Sequence, residues 1–282
     1  MKHALSYEQM ILPRLYPIID FGCFASAPDP VLAVAGFAEE LLRGGATLIQ
    51  YRDKSEDMRR FLSCARELRR VTRDRAMLIV NDRADLCLAA GADGVHLGQD
   101  DLSPAAARRI FESAGSRPFA AKQKTLAQPV GERMGHPLLR ERMGQPAEAR
   151  APQTSPTTAE APGKLPSESV GFDAVTTSNN LIIGFSTHNL QQVREAAALP
   201  VDYIAVGPVF ATGSKAKPDP VIGLEGVRQA RAATSKPLVA IGGITRKNCR
   251  QVVEAGADSV AVIADLLESP VKALEEFHRI LG

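Results

Sequence analysis

The stretch that decides the fold is residues 79–101, IVNDRADLCLAAGADGVHLGQDD. Two short apolar runs, residues 77–80 and 94–97, are typical of buried strands, and the segment between them, residues 84–90, has the composition of a short helix. A strand, a helix and a second strand within about 20 residues predict a parallel pair joined by a crossover helix. In a parallel sheet the carboxyl ends of neighbouring strands meet at the same edge.

Acidic residues follow both of these strands. Asp82 comes directly after the first strand, and Asp100 and Asp101 come directly after the second. We therefore expect these carboxylates to face one another, in an arrangement that suits Mg²⁺, which prefers oxygen ligands and also takes water and substrate phosphate. The alternative is that they only cap the helices that follow. That alternative is weaker for Asp101, because Ser103 and Pro104 already supply a cap and a first helical residue.

Six further strands and their helices are predicted along the rest of the chain. With the two strands above, the eight predicted strands are 14–20, 46–54, 77–80, 94–97, 181–185, 202–206, 237–241 and 259–263. The predicted helices are 30–43, 55–73, 84–90, 103–114, 188–198, 224–234, 245–255 and a last one ending near 280. Strict alternation, with strands apolar on both faces, predicts an α/β protein with a parallel sheet covered by helices. Eight units favour a single closed (β/α)₈ barrel, a TIM barrel, over an open doubly wound sheet.

One long segment interrupts this alternation. Residues 121–180 are rich in Pro, Gln, Ser, Thr, Ala and Glu and show little apolar periodicity. Such a composition buries too little apolar surface to offset the entropy of ordering the chain. We predict an unstructured insertion within one domain spanning 1–282. It joins the fourth helix to the fifth strand, so it should leave from the edge opposite the strand carboxyl ends, and its role is not indicated.

Composition restricts the partners and the compartment. The 282 residues carry a net charge of +2, which gives no basis for binding nucleic acid or an anionic membrane. The four cysteines form no CxxC pair, and three lie in predicted helices, which favours reduced thiols in a cytoplasmic protein. We find no secretory signal and no run of ~20 apolar residues. The expected partners are small molecules, and self-association into a homo-oligomer is left open.

Two anion sites are predicted at the strand carboxyl ends, where (β/α)₈ barrels carry their active sites. The first uses backbone: Gly242 and Gly243 follow the seventh strand, and Ile263 and Ala264 precede the last helix. Glycine allows close approach to main-chain N–H groups, and a helix N-terminus favours anions, so this pattern is typical of a monophosphate site. The alternative is that the glycine pair serves only a turn.

The second anion site uses charged side chains. Arg52, Lys54 and Lys215 are expected to surround a group that also meets the metal at Asp82 and Asp101. Several cations together with Mg²⁺ fit a diphosphate better than a monophosphate. The alternative for Lys215 is a solvated lysine in a loop.

A pair of polar residues after the fifth strand is harder to interpret. We expect Thr187 to cap the following helix and leave the role of His188 open. The sequence shows no Ser/His/Asp order, zinc spacing, GxGxxG or P-loop. Covalent hydrolase and nucleotide-binding functions therefore have no support.

Six ordered blocks of the sequence resemble the thiamine phosphate synthase family. They are 50–54 (QYRDK), 80–83 (VNDR), 91–101 (GADGVHLGQDD), 184–188 (GFSTH), 207–215 (GPVFATGSK) and 240–244 (AIGGI). The resemblance implies a (β/α)₈ transferase of thiamine biosynthesis. It would join 4-amino-5-hydroxymethyl-2-methylpyrimidine diphosphate to 4-methyl-5-(2-phosphoethyl)thiazole, or its carboxylated tautomer, giving thiamine phosphate and diphosphate by Mg²⁺-assisted dissociative substitution.

The resemblance also implies roles for individual residues. Those expected at the pyrimidine diphosphate are Gln50, Tyr51, Arg52, Asp53, Lys54, Asn81, Ser186 and Lys215, with Arg52, Lys54, Ser186 and Lys215 assisting the chemistry. Those expected at the thiazole phosphate are Thr212, Gly213, Ser214, Gly242, Gly243, Ile263 and Ala264. Asp82 and Asp101 would hold one Mg²⁺ per active site. The family commonly has Ser where Ala264 stands, so one hydroxyl contact to phosphate is missing.

Two other functions compete with the transferase. The related thiazole tautomerase would use a histidine near position 188 and would not need Asp82, Asp101 or Lys54. A non-catalytic barrel that binds partners through its Pro-rich insertion would need neither the paired carboxylates nor the glycine loop. The presence of these residues favours the transferase.

Overall fold

Eight parallel strands close into one barrel in chain order. The structure is a computed structural model and describes residues 11–114, 181–213 and 219–282. The strands are β1 Leu15–Asp20, β2 Leu48–Arg52, β3 Met77–Asn81, β4 Gly94–Leu97, β5 Ile182–Thr187, β6 Tyr203–Val206, β7 Leu238–Ile241 and β8 Ser259–Val262. Closure is direct, because β8 pairs with β1 and places Val262 beside Pro17. The predicted (β/α)₈ barrel is confirmed, and the open sheet is excluded.

Helices follow the strands as predicted. They are α1 Pro30–Arg43, α2 Met58–Thr72, α3 Ala84–Ala90, α4 Pro104–Ser113, α5 Leu190–Ala197, α6 Gly223–Ala233, α7 Cys249–Glu254 and α8 Pro270–Leu281. Helix α7 begins later than the predicted residue 245, because residues 245–248 form a turn in which the Thr245 N–H donates to Asn248 Oδ1 at 2.7 Å. The predicted insertion, residues 121–180, lies outside the described residues. No helix in the described part of the chain is long and apolar enough to cross a membrane.

The core has two layers separated by the barrel wall. Along β1, Leu15 and Ile19 face the helices, while Tyr16 and Ile18 fill the barrel interior. This alternation is the two-residue period of a strand, and burial on both sides explains why the strands carry apolar residues on both faces. Each fully buried large apolar side chain contributes about 1.5–3 kcal/mol to folding. The barrel interior below the carboxyl ends is therefore a packed floor.

The helix caps show which of the polar residues near the strand ends have a structural role. Ser103 caps α4, accepting from the Ala106 N–H at 3.3 Å, as predicted. The prediction for Thr187 is wrong: its hydroxyl donates to the Ala205 carbonyl, and Asn189 caps α5 instead. Helix α3 has no side-chain cap, so Asp82 does not serve as one.

Candidate active site

A cavity of about 610 Å³ opens at the carboxyl ends of the strands. This volume is in the usual range for a small-molecule site. It brings together most of the residues predicted from sequence: Gln50, Arg52, Lys54, Asn81, Asp82, Asp100, Asp101, Ser186, Thr212, Gly242, Gly243, Ile263 and Ala264. Apolar side chains line its floor, among them Ile18, Val239 and Ala261. The cavity therefore combines charged walls with an apolar base.

The predicted acidic pair meets at this cavity. Asp82 has a left-handed backbone, with φ +64°, fixed by its N–H donating to the His96 carbonyl at 2.7 Å. Non-glycine residues in this region carry strain and cluster at functional sites. The Asp82 and Asp101 carboxyl groups lie within hydrogen-bonding reach, and Asp101 is oriented by the Gly98 N–H, which donates to its Oδ2 at 2.7 Å.

The pKa of Asp82 reflects the nearby Asp101 carboxyl group. Burial raises the pKa of Asp82, the neighbouring Asp101 carboxyl adds to the rise, and Lys54, whose Nζ lies 2.5 Å from Asp82 Oδ2, opposes it. Two carboxylates this close repel unless a proton or a cation lies between them. The described residues contain no cluster of three or more acidic, His or Cys side chains suited to a metal. The pair fits Mg²⁺, which takes its remaining ligands from water and substrate phosphate.

The predicted cationic side chains lie on both sides of this pair. Arg52 forms an ion pair with Asp20, which holds the guanidinium at the cavity wall. The other oxygen of Asp20 accepts from the Gly22 N–H at 3.0 Å, so the carboxylate itself is fixed. The Lys54 side chain is 55% exposed and reaches over Asp82. The predicted contacts of Ser214 and Lys215 lie outside the described residues.

Three of the predicted substrate contacts, Tyr51, Asp53 and Gly213, do not line the cavity. Tyr51 is fully buried on the helix side of β2, where its ring packs edge-on against Phe61 with centroids 5.0 Å apart. Its hydroxyl donates to Asp53 Oδ2 at 3.3 Å, and Asp53 Oδ1 accepts from the Ser55 N–H at 2.8 Å. Tyr51 and Asp53 therefore support the segment that carries Lys54.

The residues predicted to form the backbone anion site lie together at the cavity. Gly242 and Gly243 have φ values of +102° and +63° and line the cavity. A Cβ at Gly243 would lie 2.5 Å from the Ala211 carbonyl oxygen, and one at Gly242 would lie 2.5 Å from Pro208 Cβ. The turn itself therefore requires both glycines, and the same turn borders the cavity. After the neighbouring strand β8, Ala264 begins a 3₁₀ turn, Ala264–Leu266, and also lines the cavity.

His188 lies at the cavity wall in a defined orientation. Its Nδ1 is 2.9 Å from the Gly207 carbonyl oxygen, and its backbone N–H donates to Gln192 Oε1 at 2.7 Å. The Asp219 carboxylate lies 3.5 Å from the same Nδ1. Because a carbonyl only accepts, Nδ1 carries the hydrogen. Gln192 and Asp219 line the cavity and were not predicted.

A buried cluster of neutral polar side chains lies beside the apolar residues of the cavity floor and was also missed from the sequence. Tyr16, His96 and Tyr203 line the cavity from inside β1, β4 and β6. Burial lowers the pKa of His96 to about 4 and raises the pKa values of both tyrosines, so all three are neutral near pH 7. The prediction considered mainly residues that follow the strands, so it missed polar residues within the strands. A histidine and tyrosines inside otherwise apolar strands were the available signal.

Comparison with known proteins identifies the family of the chain. The sequence model of the thiamine monophosphate synthase family matches residues 25–116 and 172–266. The chain belongs to this family. A thiamine-phosphate synthase of Koribacter versatilis is 44% identical over 96% of both chains, and one of Chloroflexus aurantiacus is 32% identical over 92% of this chain and 88% of its own. The family predicted from the six sequence blocks is confirmed.

A solved structure extends the similarity to the fold. The thiamine phosphate pyrophosphorylase from Pyrococcus furiosus is 28% identical to this chain, with a TM-score of 0.63 over 95% of each chain. The thiamine monophosphate synthase match covers both sides of the segment between β4 and β5. The strand ends that build the cavity therefore fall largely inside the matched residues.

Proposed function

We propose that the protein is a transferase that forms thiamine phosphate from a pyrimidine diphosphate and a thiazole phosphate, with release of diphosphate. The observation that carries the proposal is that one cavity is lined by two sets of residues suited to anions. One combines Asp82 and Asp101 with cationic side chains, and the other combines the glycine turn after β7 with the 3₁₀ turn at Ala264 after β8. The names of the relatives, thiamine-phosphate synthase, agree with it.

The metal belongs to the charged site. Asp82 and Asp101 would hold Mg²⁺, because they are the acidic pair whose carboxyl groups approach each other at the cavity wall. When bound there, Mg²⁺ supplies positive charge against the leaving diphosphate. Arg52 and Lys54 supply further charge from the protein and are already held at the cavity wall by Asp20 and Asp82. Lys215 is the expected third cation.

The residues present suit a dissociative substitution. The bond between the pyrimidine methylene carbon and the diphosphate oxygen breaks, its electron pair leaves with diphosphate, and the thiazole nitrogen then forms the new C–N bond with its lone pair. Such a step needs stabilised leaving-group charge more than a general base. It also needs water kept away from the cation. The apolar floor formed by Ile18, Val239 and Ala261 serves that purpose.

Substrate positions follow from the two sites. Gln50, Asn81 and Ser186 line the cavity beside the charged site and are proposed to bind the pyrimidine diphosphate. The glycine turn, Thr212, Ile263 and Ala264 are proposed to bind the thiazole phosphate. We also place the reaction in the cytoplasm, because Cys64, Cys87 and Cys249 are buried free thiols.

Purified full-length protein incubated with both substrates and Mg²⁺ tests the proposal. We expect thiamine phosphate and diphosphate in equal amounts. Both products should disappear after chelation of the metal and return when Mg²⁺ is added back. The readout is chromatographic separation of thiamine phosphate together with a diphosphate assay.

The outcome that would overturn the transferase is the absence of both products from protein that is folded by circular dichroism. The same sample is then incubated with the thiazole phosphate alone. Isomerisation of the thiazole would favour the tautomerase, because His188 lines the cavity and is held there by the contact of its Nδ1 with the Gly207 carbonyl.

A further inference from the structure

Three neighbouring strands place His96, Gly184 and Tyr203 in one row inside the barrel. His96 on β4 pairs with Gly184 on β5, and Gly184 pairs with Tyr203 on β6. A Cβ at Gly184 would lie 2.0 Å from Tyr203 Cζ, so only glycine lets the tyrosine ring cross β5. The tyrosine thereby stacks on His96, with ring centroids 5.6 Å apart and planes 22° from parallel. The strand between them is built to allow this contact.

A chain of hydrogen bonds runs through this row. Gln50 Nε2 donates to the Tyr16 hydroxyl at 3.1 Å, and the Tyr16 and Tyr203 hydroxyl oxygens are 2.7 Å apart. The Tyr203 hydroxyl is 3.0 Å from His96 Nδ1, and His96 Nε2 is 2.8 Å from Ser186 Oγ. The chain begins at an amide and ends at a serine that borders the cavity.

The direction of the chain follows from its donors. The Tyr16 oxygen accepts from the Gln50 amide, and among the described residues the Tyr203 oxygen is the only other partner of the Tyr16 hydroxyl. Tyr16 is buried, and a buried donor without an acceptor costs about 1–3 kcal/mol, so the Tyr16 hydrogen points to the Tyr203 oxygen. The Tyr203 hydrogen then points to His96 Nδ1, which must carry a lone pair. A neutral imidazole with a lone pair on Nδ1 carries its hydrogen on Nε2. That hydrogen is donated to Ser186 Oγ, which leaves the serine hydrogen for another acceptor.

We infer that His96 is a positioning residue: Tyr203 fixes it as the Nε2–H tautomer, and it turns the hydroxyl hydrogen of Ser186 toward an acceptor atom of the bound pyrimidine diphosphate. The inference rests on the proposed function for the identity of that substrate. The tautomer itself rests only on the contacts among the five side chains. Ser186 touches the substrate in this arrangement, and His96 acts through it.

The tautomer is tested by ¹⁵N NMR of the full-length protein labelled at histidine, with the His96 signals assigned by their loss in His96→Gln. We expect a neutral ring protonated on Nε2 at pH 7. In Tyr203→Phe the Nδ1 signal should shift as it loses its donor. A ring protonated on Nδ1, or an unchanged Nδ1 signal in Tyr203→Phe, would overturn the inference. This measurement needs no activity, so it stands apart from the test of the transferase.

Kinetics test the consequence at Ser186. Loss of one neutral hydrogen bond changes a rate by about five- to tenfold, so Tyr203→Phe should lower kcat/KM for the pyrimidine diphosphate by that factor and leave KM for the thiazole phosphate unchanged. Tyr16→Phe should cost less, because Tyr203 still donates to His96. His96→Gln, which keeps an N–H donor, should retain more activity than His96→Leu. Thr72→Val, which removes a fully buried hydroxyl on α2, is the matched control.

A double-mutant cycle separates positioning from a merely structural role. In a Ser186→Ala background, Tyr203→Phe should change kcat/KM by less than about twofold, because the group on which it acts is gone. Effects of Tyr203→Phe and Ser186→Ala that multiply would contradict the inference. If Tyr203→Phe does not fold, the cycle is run with His96→Gln and the same criterion.

Discussion

The two halves of the cavity rim offer different groups to the two anions that we propose bind there. The charged half consists of Arg52, Lys54, Asp82 and Asp101 at the ends of β2, β3 and β4. The backbone half consists of Gly242, Gly243 and Ala264 at the ends of β7 and β8. A charged side chain can be removed by one substitution, whereas a backbone N–H is lost only when the backbone moves. Activity should therefore fall when a charge is removed from the charged half, and when a side chain is added that displaces the backbone of the backbone half.

Asp82→Ala should break the charged half most strongly. It removes one of two facing carboxylates and leaves Lys54 without its partner. We expect kcat/KM to fall about 10²–10³-fold, the scale of losing one preorganised electrostatic contact. The measurement is thiamine phosphate formation at varied Mg²⁺, where the metal requirement should shift to higher concentration.

The matched control for Asp82 is Asp85→Ala on the next turn of chain. Asp85 forms an exposed ion pair with Arg83, away from the cavity lining. Its loss should leave the activity within about twofold, because exposed ion pairs contribute little. Equal losses in the two variants would show that Asp82 matters for the fold of this segment rather than for the charged half.

Lys54→Met tests the same half with a smaller expected effect. The side chain is 55% exposed, so solvent already screens part of its charge. We expect KM for the pyrimidine diphosphate to rise about tenfold, the scale of one charge-assisted hydrogen bond. KM for the thiazole phosphate should stay constant. Lys272→Met, at an exposed position of α8, is the control. A rise in both KM values would contradict the division into halves.

Gly243→Ala should act on the backbone half through shape alone. The new Cβ would lie 2.5 Å from the Ala211 carbonyl oxygen, at a φ of +63° that alanine disfavours. We expect the free energy of unfolding to fall by about 1–3 kcal/mol. KM for the thiazole phosphate should rise several-fold while the Mg²⁺ requirement stays unchanged. Both are measured on one preparation by denaturant unfolding and initial rates.

The control for Gly243 is Gly36→Ala in the middle of α1. No atom outside the local helix lies within 4 Å of its new Cβ. Alanine should stabilise the helix there by about 0.5–1 kcal/mol, and activity should not change. A Gly243→Ala protein as stable and active as the Gly36→Ala protein would refute a steric requirement in the glycine turn.

The sequence was sufficient for the parts of the site that obey a local rule. Asp82 and Asp101 were placed together because parallel strands end at one edge, and the glycine turn was placed by the same rule. Tyr51 is instructive: Gln50, Tyr51 and Arg52 are consecutive in β2, so they cannot all face the cavity. The two-residue period alone sends Tyr51 to the helix side, where the structure has it.

The remainder of the site required knowledge of register. Tyr203 meets His96 only because each pairs with Gly184, and no pattern in the chain states which residues of β4, β5 and β6 lie side by side. The prediction that Thr187 caps α5 was wrong for a different reason. Thr187 and Asn189 both suit a cap, and the choice depends on where β5 ends, which pairing with β6 extends to Thr187.

Ala264→Ser should have the smallest effect on activity of the substitutions considered. It adds a side-chain donor to the half that otherwise uses backbone. Ala264 is exposed at the start of its 3₁₀ turn and lines the cavity, so a hydroxyl has room there. We expect KM for the thiazole phosphate to fall two- to threefold, the lower range for one added hydrogen bond. KM for the pyrimidine diphosphate should not move. Ala25→Ser, at an exposed alanine outside the cavity, should change neither value. A fall in the pyrimidine KM instead would mean that Ala264 borders the charged half, and that the two halves are one site.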